Sequence, residues 1–193
     1  MPIQSTLDHG SVQDLERVWH KIREDVRLRK ADSLIFRFTD STHMWLDSLA
    51  YDVRFADSTE LVQRPLFHVL MVGALRIAFR KGELNRYETE WLMARLLQED
   101  SPFTHAMLRA RWGAPKVEFP VGFIGLANNP EMAILGFKFE YGEWKLDLRN
   151  SLPVLFRGLE AYALRKRWNS VEAAKNMLGR REGAYIEEIF SRP

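Results

Sequence analysis

Residues 134–150, ILGFKFEYGEWKLDLRN, carry a large apolar side chain at every second position on both sides of a Tyr141-Gly142 pair. In a hairpin whose loop has two or four residues centred on that pair, Phe139 lies opposite Trp144. A three-residue loop would set charged residues against aromatic ones. The two- or four-residue register also pairs Phe137 with Leu146, Leu135 with Leu148, and Lys138 with Lys145. The stretch therefore predicts an antiparallel hairpin with one buried and one solvated face.

A further strand is expected before this hairpin. Residues 116–126, KVEFPVGFIGL, alternate apolar residues with small or charged ones, as strands do. Pro120 has no N–H to donate to a neighbouring strand, so the strand should lie at a sheet edge or bulge there. A turn signal at residues 128–130, NNP, separates this strand from the hairpin. The sequence thus predicts a small antiparallel sheet of about three strands.

The residues before the sheet have the spacing of helices. Ser11 is a suitable cap for one amphipathic helix, and a second helix is expected after Asp40. Residues 57–65, DSTELVQRP, open with the Asp and Glu spacing of a capping box and predict one short helical turn. Residues 33–39, SLIFRFT, fit either a strand or the end of a helix.

Residues 65–81 have the clearest helical pattern. They are apolar around almost the whole helix, which predicts burial on most sides. Pro65 suits the first turn, whereas Arg80 and Lys81 suit the last turn and Gly82 the position after it. Two more helices are expected, one capped by Asn85 with Glu88 and one running from Ser101-Pro102 to Gly113.

Helical patterns return after Asn150. Pro153 is acceptable in a first turn, and an apolar stripe follows it. Ser170 is expected to cap a shorter helix that ends at Gly179. The tail, residues 184–193, would form a helical turn or an extended arm that docks Tyr185, Ile186, Ile189 and Phe190.

The expected fold is α+β in one domain, residues 1–193. A helix-rich N-terminal part, 1–114, would pack on the antiparallel strands of 115–149, and C-terminal helices would follow in 150–193. The chain has 46% apolar and 28% charged residues, as soluble globular proteins do. It has no cysteine, no secretory pattern at its start and no apolar run of the ~20 residues that a membrane span needs. We therefore expect a cytoplasmic protein with no membrane partner.

The stretch from Phe123 to Leu148, FIGL…PEMAILGFKFEYGEWKLDL, resembles the closing strands of the nuclear transport factor 2-like superfamily. There, a strand ending in a charged turn, a glycine and a WK(I/L)DL segment returns across a curved sheet. The resemblance covers about 26 of the 193 residues. It implies a sheet wrapped around N-terminal helices into a cone, which members use as an enzyme pocket, a ligand site or a protein-binding surface. Some bacterial immunity proteins of contact-dependent toxin systems are assigned to that fold, so it also implies an immunity-type role.

The motifs of common catalytic and cofactor sites are absent from the sequence. None of the five histidines lies four residues from another, so no familiar zinc motif is present. There is no GxSxG elbow, GxxxxGK loop or GxGxxG turn. Residues 40–43, DSTH, hold Asp, Ser and His together, but triad members normally come from separate elements, so we interpret the run as a helix cap. The sequence predicts no cofactor and no metal site, and it favours a protein that is not an enzyme.

A pocket with polar groups is the alternative to that interpretation. Its candidate residues are His68, Tyr87, His105 and Asp147. Burial in the apolar helix would lower the pKa of His68 and suit it as a general base. A buried histidine more often makes one hydrogen bond and packs in the core.

A basic segment is the candidate binding surface. Between Arg149 and Arg181 there are eight basic residues and two acidic ones. The candidate partner-binding residues are Trp112, Arg165, Lys166, Arg167, Trp168, Arg180 and Arg181. Trp112 and Trp168 are expected to be exposed anchors, because Trp and Arg are enriched at interface hot spots. Phosphate binding is also conceivable, but cations at the end of a helix equally stabilise its dipole.

Three functions are compatible with these patterns. The first is a non-catalytic protein-binding module, such as an inhibitor or immunity-type protein that neutralises a toxin or enzyme. The second is a small-ligand-binding protein or enzyme with a cone-shaped pocket. Nucleic-acid binding through residues 149–181 is the third and least favoured, since the net charge is only +2.

Overall fold

The structure, a computed structural model, describes residues 10–98, 102–182 and 186–191, without the side chains of residues 102–103, 105–106 and 180–182. Eight helices of the described part come first: α1 Val12–Arg27, α2 Ala31–Ile35, α3 Asp40–Phe55, α4 Ser58–Leu61, α5 Leu66–Ala78, α6 Lys81–Arg86, α7 Thr89–Leu96 and α8 Pro102–Arg109. Four strands follow: β1 Lys116–Glu118, β2 Val121–Ile124, β3 Leu135–Glu140 and β4 Glu143–Asp147. The last helices are α9 Leu148–Lys166, α10 Ser170–Glu182 and α11 Ile186–Phe190. This order confirms the α+β class.

The sheet is an antiparallel meander in the order β1-β2-β3-β4, with four strands where about three were expected. The difference lies at Pro120. The chain reverses at Phe119-Pro120 and divides the predicted strand in two, so that Val117 pairs with Gly122. Since Pro120 cannot donate to a ladder, it is placed in the turn, and its carbonyl accepts from the Phe139 N–H at 2.8 Å.

The hairpin of β3 and β4 has the predicted register. Phe139 pairs with Trp144, and the loop is the two-residue Tyr141-Gly142 turn. Both loop residues have positive φ, 54° and 83°, as the hairpin turn that matches strand twist requires. The predicted pairing of Leu135 with Leu148 is wrong, because the Asp147 side chain accepts from the Asn150 N–H and starts α9 at Leu148.

The aromatic face of the hairpin lies on the helices. Trp144 is fully buried, and its indole N–H donates to the carbonyl of Ser11, the residue that caps α1. Phe137 contacts Trp19 of α1 edge to face, with ring centroids 6.2 Å apart. Residues 33–39 combine both expected conformations, since α2 ends at Ile35 and Phe38 then bridges to Leu146 of β4.

Side-chain caps mark the starts of several helices. Ser11 caps α1 as predicted and forms a capping box with Asp14, and Asp57 forms the predicted capping box of α4 with Glu60. The DSTH run does begin α3, but the capping side chain is Thr39, whose hydroxyl accepts from the Thr42 N–H. A cap at Asn169, which bonds reciprocally with Glu172, precedes α10.

Several predicted helix ends are wrong. The helix expected at 65–81 ends at Ala78, because Glu83 accepts from the Arg80 N–H and opens α6 there. Gly82 and Asn85 therefore lie inside α6 and are not caps. In the C-terminal part, Pro153 lies beyond the first turn of α9, and α10 continues through Gly179.

Helix α5 lies at the centre of the core. Val69, Val72 and Leu75 are fully buried, within a cluster of buried side chains that also includes Trp144. The short helix α11 packs on α5 and buries Phe190, as predicted for the tail. Tyr185 and the start of the chain, residues 1–9, lie outside the described residues.

Candidate functional site

An apolar cleft of about 490 Å³ lies between α9 and α10. Its floor is formed by α5 and the sheet, with Leu70 and Ala74 from α5 and Leu135 and Leu146 from β3 and β4. The wall on α9 is formed by Leu148, Leu152, Leu155, Phe156, Leu159 and Tyr162, and the wall on α10 by Asn176, Met177 and Leu178. Leu97, Met107, Trp112 and Trp168 complete the lining.

The cleft follows from how two helices pack on a third. Helix α9 packs on β3, α5 and α3, whereas α10 packs on α5, α11 and α4. The two helices are joined by a sharp reversal at Arg167, which has φ 58°. Both helices pack on α5 with a gap between them, so the apolar stripe of α9 is covered only in part. Leu155 and Leu159 keep 36% and 38% of their surface exposed.

The chemistry of the cleft lining is almost wholly apolar. Among the described residues, no carboxylate, imidazole or amine lines it. The indole N–H of Trp112 donates to the Met107 carbonyl at 2.9 Å, and the Asn176 amide donates to the Glu172 carbonyl at 2.8 Å. These two polar groups have partners within the protein, so the described lining offers mainly apolar contact area.

Trp112 and Trp168 are not the exposed anchors that the sequence predicted. Both are partly buried against the core, and both line the cleft. Trp112 contacts Trp19 edge to face at 5.5 Å, and Trp168 contacts Tyr162 in the same way at 5.8 Å. Each indole therefore packs on another ring in an edge-to-face geometry that aromatic pairs favour.

Three of the predicted basic residues lie at the edge of the cleft. Arg165, Lys166 and Arg167 are exposed at the end of α9. The guanidinium carbon of Arg165 lies 6.0 Å from the centre of the Tyr162 ring, and the ammonium of Lys166 lies 5.8 Å from it. Arg180 and Arg181 belong to the backbone of α10, but their side chains are outside the described part of the structure.

His68 lies in a buried cluster of hydrogen-bonded side chains between α3 and α5. Its Nδ1 accepts from the indole N–H of Trp45 at 3.1 Å, and its Nε2 donates to Asp52 at 2.8 Å. Arg64 pairs with the same carboxylate at 2.8 Å. Burial lowers the pKa of His68, although Asp52 opposes the shift. Because a Trp indole can only donate, protonation of Nδ1 would set two donors face to face, which also favours the neutral ring.

This arrangement does not suit His68 to catalysis. Both ring nitrogens have partners inside the protein, and only 4% of the residue is exposed. A general base needs a nitrogen within hydrogen-bond reach of a substrate proton. In the described structure, His68 instead joins α3 to α5.

The other pocket candidates do not lie together. Tyr87 stacks on Trp91, with ring centroids 4.3 Å apart, and Asp147 caps α9. Neither residue lines the cleft, nor does His68. The side chain of His105 lies outside the described residues. The predicted polar pocket is thus not assembled by the residues that the structure describes.

The cleft itself was missed because its residues were interpreted as core. The stripe of α9 was found, but sequence spacing shows which face is apolar and not what covers that face. Met177 and Leu178 were not singled out. One feature of the sequence does point to an open site. The apolar stripe of α9 continues to Tyr162, shortly before the three cations of residues 165–167.

Within the described ranges, no three His, Asp or Glu side chains are grouped so as to hold a metal ion. None of the described helices is both long and apolar enough to cross a bilayer. A scan of protein-family models, a search of curated proteins and a search of solved structures found no match to this chain.

Proposed function

We propose that the protein is a non-catalytic binding protein that holds an apolar ligand in the cleft between α9 and α10. The observation that carries the proposal is the apolar, partly open cleft of about 490 Å³. Ligand sites are commonly apolar cavities of about 300–1,000 Å³ with few polar groups. An empty apolar surface of this kind is costly in water, so filling it stabilises the folded chain.

The absence of carboxylate, imidazole and amine groups from the described lining supports binding without chemistry. His68, the residue best suited to proton transfer by type, has both ring nitrogens engaged elsewhere. The proposal therefore takes up the second of the three functions considered from the sequence, ligand binding, with the ligand in this apolar cleft and not in a cone-shaped pocket.

Binding can be tested with N-phenyl-1-naphthylamine, an uncharged probe that fluoresces in apolar sites. We expect saturable binding by the wild-type protein. Leu159→Trp would fill the cleft with an indole and weaken binding about tenfold or more, because Leu159 lines it. Leu164→Trp is the matched control, since Leu164 is on the same helix, 77% exposed and not part of the lining. Absence of saturable binding, or equal loss in both variants, would contradict the proposal.

The protein-binding module remains a second candidate because of Leu164. This exposed leucine is followed by the three exposed cations of residues 165–167, a combination of apolar and basic groups that suits an acidic protein surface. If the protein binds a toxin or an enzyme through this surface, the wild-type protein and Leu159→Trp should both bind that partner. Leu164→Asp should not bind it. Retention by Leu164→Asp would exclude this surface.

A further inference from the structure

We propose that the ligand of the cleft is a single-chain anionic amphiphile, with its apolar chain between α9 and α10 and its anionic group at Arg165 and Lys166. This inference rests on the proposed function and adds the chemical class of the ligand. It depends on a contrast within one site. The lining is apolar, and positive charge is concentrated beside Tyr162.

The apolar part of the site extends into the core. Leu97 and Met107 belong to the lining and are almost fully buried, whereas Leu155 and Leu159 are open to solvent. A ligand chain inserted there would cover exposed leucine surface and reach buried surface in one continuous contact. That geometry suits a flexible alkyl chain.

The positive rim is in contact with the lining through one residue. Tyr162 lines the cleft. The charged groups of Arg165 and Lys166 lie 6.0 and 5.8 Å from the centre of its ring. An anionic group on a chain that contacts the Tyr162 ring would therefore be within reach of both cations. Electrostatic attraction and hydrogen bonds to a charged acceptor would then act together.

These cations have no anionic partner in the described structure. No carboxylate whose side chain the structure describes forms an ion pair with Arg165, Lys166 or Arg167. By contrast, Lys175 on α10 pairs with Glu187 of α11. Positive charge without an ion-pair partner among the described side chains therefore lies on the side of the cleft where α9 ends.

The end of α9 does not require these side chains as caps. The Arg167 N–H donates to the carbonyls of Ala163 and Leu164, and the Trp168 N–H also donates to Ala163. Backbone groups therefore already satisfy these last-turn carbonyls. The side chains of Arg165 and Lys166 extend into solvent and are free to meet an anion.

The inference is tested with decanoate and decanol, which share one alkyl chain and differ in charge. Binding is measured by displacement of N-phenyl-1-naphthylamine at low salt and at a pH where the carboxylate is ionised. We expect decanoate to bind about tenfold more tightly than decanol, and this preference to shrink at high salt. Equal affinity for the acid and the alcohol would overturn the inference and leave the proposed function standing.

Two double variants locate the preference. Arg165→Gln with Lys166→Gln should reduce the preference for decanoate to about one, with decanol binding unchanged. Arg149→Gln with Arg157→Gln removes the same charge from exposed positions of the same helix and should keep the preference. Persistence of the preference in the first variant would overturn the assignment to these two cations.

Two further outcomes separate the sources of failure. If the probe binds but neither decanoate nor decanol displaces it, this inference is wrong and the proposed function stands, whereas failure of the probe itself to bind would contradict both. If the protein sediments with vesicles of phosphatidylglycerol but does not bind monomeric decanoate, the basic rim recognises a lipid surface, and the assignment to a free amphiphile is overturned.

Discussion

The two sides of helix α5 differ in how completely they are covered. Towards α3, α5 presents His68 and Arg76, whose polar groups bond to atoms of the protein. Towards α9 and α10, it presents Leu70 and Ala74, which form the floor of an open cleft. One helix therefore has a side with matched polar groups and a side with apolar surface that lacks a full partner.

The difference separates contacts that stabilise the fold from apolar surface that we propose binds a ligand. On the α3 side, the Arg76 guanidinium donates to three carbonyls at the end of α3, those of Asp52, Val53 and Ala56, at 2.7–2.9 Å. It also donates to Ile189 of α11 at 2.8 Å, and burial lowers its pKa to about 10. Substitutions on this side should change stability, and substitutions in the cleft should change binding.

The largest expected effect is that of Asp52→Ala. This change removes the acceptor of the His68 ring and the partner of Arg64, and it leaves a buried N–H without a hydrogen bond. We expect the free energy of unfolding to fall by about 3–4 kcal/mol. Urea denaturation followed by circular dichroism measures it. Asp47→Ala, an exposed aspartate on the same helix, should change stability by less than about 0.5 kcal/mol.

If Asp52→Ala and Asp47→Ala cost the same, the cluster of hydrogen-bonded side chains between α3 and α5 does not contribute to stability. The contrast between the two sides of α5 would then be lost.

The next largest effect is expected for Arg76→Ala. It removes the side-chain donor of the Val53 and Ala56 carbonyls and releases Ile189, so the free energy of unfolding should fall by about 2–3 kcal/mol. Hydrogen exchange should rise in α11 in addition to the end of α3. Arg157→Ala, at an exposed position of α9, serves as control. An unchanged exchange rate in α11 would show that Arg76 does not hold that helix.

Sequence patterns predicted elements whose spacing is decided locally. The hairpin register followed from alternation on both sides of Tyr141-Gly142, since a shift by one residue would turn Trp144 to solvent. The Ser11 cap likewise depends on a neighbour three residues away. Local signals of this kind need no knowledge of the rest of the fold.

Elsewhere, two local signals competed and the sequence could not rank them. Arg80 and Lys81 suit the end of one helix, but Glu83 makes the same residues the start of the next. Pro120 suits both an edge strand and a turn. The structure has the turn, in which the Pro120 carbonyl accepts from an N–H of the neighbouring strand β3. The boundary depends in each case on contacts formed by distant residues.

The candidate site was the least predictable part, because it depends on how helices pack. His68 meets Trp45 and Asp52 only when α3 lies beside α5. The apolar stripe of α9 has the spacing of a core helix, and no residue in it indicates that Leu159 is half open. Packing of α9 and α10 on α5, with a gap between them, is a tertiary property.

A smaller effect is expected from pH, through His68. Burial lowers its pKa in the folded state below 6.5, so the unfolded chain takes up a proton first as pH falls. Its contribution to stability is therefore fully present above about pH 6.5 and decreases as pH falls from there through the lower folded pKa.

Urea denaturation of the wild-type protein and of His68→Gln over this range measures the contribution. Glutamine has an acceptor for Trp45 and a donor for Asp52 but does not titrate. The wild-type chain should lose more stability than the variant below about pH 6.5, and the two profiles should run parallel above it. Parallel profiles throughout would mean that His68 has the same pKa folded and unfolded.

The smallest effect on stability is expected in the cleft, and it bears most directly on the comparison. Leu159→Ala removes a side chain that is already 38% exposed and replaces it with a better helix former, so we expect a cost below about 1 kcal/mol. Leu75→Ala, in the fully buried part of α5, should cost about 2–5 kcal/mol through the cavity it leaves. Urea denaturation measures both. Equal costs would mean that α9 and α10 close over Leu159 in solution, so that the apolar surface counted as a binding site is in fact part of the packed core.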